Sequence, residues 1–202
     1  MKNSILFLLT MIVFVFQSNL LGQSVKAEVK SIDAYCKSLD AVGKKRKTPE
    51  LVFADVSGLT DKTEKWRSFA SEKALDKYRE DSETYSIAYN WRKNGKIVVS
   101  NFTFFSGSGD WVKYVYHYFR EDGTLARVES ELRTFNGDYI VNRRRHFDRS
   151  GKLISKTEKY LDLTTKKPKK PEGGGVMGDN PKKIDYYKTT GKLPFAHLLK
   201  KK

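Results

Sequence analysis

WRKNGKI (residues 91–97), FREDGTL (119–125) and FDRSGKL (147–153) share one layout, an aromatic four residues before a glycine and an aliphatic two after it. Between these blocks, Gly109-Asp110-Trp111 and Gly137-Asp138-Tyr139 repeat a second layout, so that Gly95, Gly109, Gly123, Gly137 and Gly151 recur every 14 residues. Glycine supplies the positive φ of tight hairpin turns, and Asn94-Gly95, Asp122-Gly123 and Asn136-Gly137 are favoured dipeptides for them. The period predicts a run of β-hairpins. It leaves function open, because one architecture hosts many activities.

The turns also set a register. Two-residue loops at Asn94-Gly95, Asp122-Gly123, Asn136-Gly137 and Ser150-Gly151, with a four-residue loop from Ser106 to Gly109, thread six strands between about Thr84 and Asp162. One face then gathers Tyr85, Ile87, Tyr89, Trp91, Val98, Phe102, Phe104, Trp111, Val115, Phe119, Val128, Leu132, Tyr139, Val141, Phe147, Ile154 and Tyr160, the expected core. The opposite face gathers Ser86, Asn101, Thr103, Arg127, Glu129, Arg144 and His146 and is expected to be mostly solvated, with Glu129 directly across from Arg144. The aromatic-x-x-x-Gly-x-aliphatic unit superficially resembles the hairpin units of YD-type and MORN-type repeats. Any meander of two-residue turns flanked by core aromatics generates it, and no family follows from it.

Two amphipathic segments precede the strands. Val29, Ile32, Tyr35, Cys36, Leu39 and Val42 predict a helix over about 26–42. Trp66, Phe69, Ala70, Ala74, Leu75 and Tyr78 predict a second over about 61–80. Leu51 to Val56 reads as an edge strand or a buried loop. An apolar sheet face needs a cover, and these helices are the candidates. The expected fold is α+β: N-terminal helices packed on a six-stranded antiparallel meander, curved or half-barrel, in a cystatin-like layout. The domain would span residues 26–162. Residues 163–183, rich in Lys, Pro and Gly, read as a basic linker. Residues 184–202 carry enough apolar side chains to dock back on the domain, with the outer sheet face as the expected place.

Residues 1–22 hold one charge, Lys2, and an apolar run from Ile5 to Phe16 broken only by Thr10. That is the layout of a bacterial secretory signal peptide, and the run is shorter than the roughly 20 residues that span a bilayer. The mature chain is expected to be secreted or periplasmic, without a transmembrane segment. Its lone cysteine, Cys36, excludes an internal disulfide. Losing Lys2 takes the formal charge from +15 to +14, which suits an anionic envelope polymer, a lipid head group or an acidic protein as partner. There is no specific nucleic-acid motif.

Catalytic, cofactor and metal motifs are missing from the sequence. Two constellations remain as candidate sites. On the expected core face the register lines up Val115, Ser130, Arg143 and Glu158, and beside them His117, Val128, Arg145 and Lys156. Cations on a buried face call for either an anion or an open end, and Arg143 and Arg145 could grip phosphate or carboxylate. The alternative there is a simple Arg143–Glu158 pair. On the outer face Tyr114, Tyr116 and Tyr118 run beside Arg127, Arg144 and His146, a stripe suited to sugars, bases or anionic polymers. The chain reads as an exported non-enzymatic binding protein. The alternatives are a periplasmic carrier with an anion-binding cleft and, third, a hydrolase using His117 or Glu158 as general base.

Overall fold

The computed structural model describes residues 23–40, 48–58, 60–171, 176 and 186–199. The signal peptide expected over 1–22 and most of the segment 172–185 lie outside them. The fold is α+β, built on one open antiparallel sheet of eight strands in the order β2-β1-β3-β4-β5-β6-β7-β8. The six expected strands are β3 (Ser86–Lys93), β4 (Lys96–Phe105), β5 (Trp111–Phe119), β6 (Leu125–Thr134), β7 (Tyr139–Phe147) and β8 (Leu153–Asp162). Two more precede them, β1 (Leu51–Asp55) and β2 (Trp66–Phe69). Residues 23–40 form helix α1, and Glu72–Asp81 form α2.

The helix expected over 61–80 therefore divides. Trp66 and Phe69 sit at helical spacing, but pairing of β2 with β1 sends them to opposite faces of the sheet, where both find aromatic neighbours. The true helix starts at Ser71, whose hydroxyl accepts from the Ala74 amide at 3.1 Å as an N-cap.

Each of the three glycine blocks that opened the sequence carries a β-bulge three residues past its glycine. Val98, Ala126 and Ile154 are the extra residues, lying 28 positions apart. All three pack under α1 with Ile32, Cys36 and Leu39. In the second and third blocks the turn is one residue longer than the sequence suggests: Arg120 bonds Thr124, and Asp148 bonds Lys152. That extra turn residue and the bulge cancel, so the expected pairings hold: His117 opposite Val128, Glu129 opposite Arg144, and Arg143 opposite Glu158.

In the first block nothing cancels. Asn94 and Gly95, at φ 53 and 75, make a genuine two-residue turn that pairs Lys93 with Lys96. The Val98 bulge then shifts β3 by one, and a one-residue shift turns every side chain over. Ile87 and Tyr89, expected beside Phe102, stand on the other face, while Ala88 pairs with Phe102. The β4–β5 register differs from expectation by two, which preserves the faces.

Both faces are consequently covered, with the covers exchanged relative to expectation. The helices lie on the supposed outer face, where α2 packs Leu75 on Val52, Ala54 and Ile87. The C-terminal segment crosses the supposed core face. It is anchored by the Thr124–Thr189 bridge and by Phe195, which stacks on Phe53 with centroids 4.2 Å apart and also meets Phe102. Val176, further back along the chain, packs on Leu132, Tyr139 and Val141 of the same face.

Candidate functional site

The helix face was expected to be solvated, yet Arg127 is 5% exposed and His146 3%. Helix α1 supplies the reason. Asp33 lies one residue beyond Ile32 in the apolar stripe and reaches both side chains through one oxygen, Oδ1: Arg127 donates at 2.8 Å and His146 Nε2 lies at 2.9 Å. Asp40, seven residues on along the same helix, accepts from the Tyr118 hydroxyl at 2.8 Å and stands 4.0 Å from Arg127. Arg127 lies over the Tyr118 ring at 4.5 Å and 3.6 Å from Glu129, which also pairs with Arg144 at 2.5 Å.

Burial raises the Asp33 carboxyl, but hydrogen bonds and charge from His146 and Arg127 outweigh it and hold the group below the usual carboxylate range. Burial pushes the Cys36 thiol beside them up to about 12, which makes it a protonated core residue and a poor nucleophile. Burial likewise raises the Tyr118 hydroxyl, so it stays a donor to Asp40.

The tyrosine–cation stripe is thus split. Tyr118, Arg127 and His146 form a buried joint between α1 and the sheet. Tyr114 and Tyr116 are half-buried, and Arg144 is exposed. Asp33 and Asp40, which complete the joint, were not singled out from sequence. Their seven-residue spacing along the helical stripe was the available signal.

On the tail face, His117 is 1% exposed and packs against Phe102, Phe119 and Tyr187, so the C-terminal segment covers this member of the candidate cleft. Arg143 is buried, pairs through Nε with Glu158, and donates to the Tyr160 hydroxyl at 3.2 Å. Arg145 is half-buried beside exposed Lys156. The pairing of Arg143 with Glu158 is the simpler of the two arrangements weighed from sequence.

The exposed cations concentrate elsewhere, along β8 and the turn after it. Lys152, Lys156, Lys159, Lys166, Lys167 and Lys170 are all exposed. Residues 152–170 contain two acids, and both are committed internally. Glu158 holds Arg143. Asp162 caps the turn, accepting from the Thr164 and Thr165 amides at 3.1 and 2.7 Å, and lies 3.6 Å from Lys169. Hydrogen bonds from Thr165, backbone first, keep the Asp162 carboxyl low and ionised. Lysines also protect an edge strand from pairing with another chain, and β8 is an outer strand of the sheet.

Among the described residues no cluster of His, Cys, Asp and Glu could hold a metal ion, and no helix is long and apolar enough to cross a membrane. Compared with family models, with curated proteins and with solved structures, the chain matches none of them.

Proposed function

We propose that this chain is an exported, non-catalytic binding protein that engages an anionic envelope component through the cationic edge formed by β8 and residues 163–170. One observation carries the reading: six exposed lysines stand on this edge while its only two carboxylates are consumed by internal contacts. Lysines held near an anionic surface contribute roughly 1 kcal/mol each, screened by salt. Elsewhere carboxylates serve the protein's own joints, as Asp33, Asp40 and Glu129 serve Arg127. The signal-like residues 1–22 and the strongly basic composition support the extracytoplasmic setting.

The test is sedimentation with phosphatidylglycerol vesicles and, separately, with a soluble anionic polysaccharide, each at low and high salt. The protein is expected to bind at low salt and release at high salt. Glutamine at positions 152, 156, 159, 166, 167 and 170 should abolish binding, whereas Lys73→Gln with Lys77→Gln on α2 should leave it. Binding that survives the edge substitutions, or that ignores salt, overturns the reading. The two anions separate a lipid surface from a polymer.

A further inference from the structure

We propose that the end of the sheet opposite the three bulges holds a binding site for a small ring-bearing anion, a carboxylate or phosphate attached to a flat apolar ring. This site meets the cationic edge only at Leu163 and draws none of its cations from it. The last turn of α2, the chain entering β3, the β4–β5 loop and the β6–β7 turn enclose a hollow of about 720 Å³ there. That volume lies within the usual range for small-molecule sites.

The lining combines two chemistries. Tyr85, Phe105, Trp111 and Phe135 give it aromatic walls, and Arg79 and Arg133 give it cations. Phe135 is 70% exposed at the rim, although the other phenylalanines of the sheet are buried or half-buried. Among the described residues Arg79 makes no ion pair; its guanidinium lies 5.0 Å over the Phe105 ring, so charge and aromatic surface are presented together. Arg133 is already held by Glu131 at 2.6 Å, which leaves Arg79 as the principal anchor for an anion. The one carboxylate in the lining, Glu83, takes the Tyr85 hydroxyl. Deeper in the wall stands Thr84, 4% exposed, whose hydroxyl has no hydrogen-bond partner among the described residues. The loop from Ser106 to Gly109 closes the side of the hollow, and its Gly109 has open space where a Cβ would stand.

The probe is phenyl phosphate, titrated into the full chain as its host processes it and followed through the tryptophan indole N–H resonances. Trp66→Phe, Trp91→Phe and Trp111→Phe assign the three signals. The Trp111 signal is expected to shift while those of Trp66 and Trp91 stay. Arg79→Gln should weaken binding about tenfold and Phe135→Ala severalfold. Both side chains are exposed, so these variants should fold as the parent does. Inorganic phosphate and benzyl alcohol, each offering half of the chemistry, should bind at least about tenfold more weakly. An unmoved Trp111 signal, parental affinity in Arg79→Gln, or equal binding of either half-probe overturns the proposal.

Discussion

Asp33 serves two partners with a single oxygen, and that geometry makes its ionisation matter. Its folded-state pKa lies below the ordinary value of 3.8, so the stabilisation it provides is fully present above about pH 4 and is lost as pH falls through the folded pKa. Asp33→Asn should cost about 1 to 3 kcal/mol at neutral pH, toward the lower end, because Asp33 is 39% exposed and Arg127 retains Glu129. Urea unfolding across pH should show the parent losing more stability than the variant below about pH 4. Equal acid profiles would deny the joint its role. Cys36 reports on the same joint from beneath. A buried thiol held near pKa 12 should react with a maleimide only as α1 lifts, so native labelling at neutral pH should be far slower than labelling in urea. Comparable rates would mean that α1 does not dock as described.

At the scale of elements, the three bulges and the C-terminal segment determine which surfaces are buried. Deleting Val98 would remove the bulge yet keep its neighbours' partners, Trp91 with Val99 and Ile87 with Thr103, so that the fold loses only the apolar contact Val98 makes under α1. That variant should keep a cooperative thermal transition by circular dichroism at a lower midpoint, and loss of the transition would refute the account of the bulge as an unpaired residue. The C-terminal segment acts as the second half of the core. Phe195 is fully buried among Phe53, Trp66 and Phe102, so Phe195→Ala should cost about 3 to 5 kcal/mol by urea denaturation. A loss under about 1 kcal/mol would show the segment to be loosely held.

For the molecule as a whole, charge and stability are separable on the cationic edge. Its six lysines are exposed, and surface substitutions of this kind usually stay within about 0.5 kcal/mol each. The glutamine variant should therefore keep the parental urea midpoint while losing salt-sensitive binding. A collapsed midpoint would mean that the lysines serve the fold. The sequence by itself determined the hairpin run, where its turns fall, the pairing of β5 through β8 and the apolar stripe of α1, because a glycine period and a side-chain period are local properties. It could not show that Val98, Ala126 and Ile154 bulge, since an extra residue in a strand carries no residue-type signature of its own. It also could not assign covers to faces. Tail-face and helix-face residues are both apolar enough to need one, and the assignment follows from β3 being turned over, which only packing against α1 and α2 decides. The hollow beside Arg79 was invisible for a related reason. It brings together side chains from α2, the segment before β3 and two hairpins, and only the tertiary fold makes them neighbours.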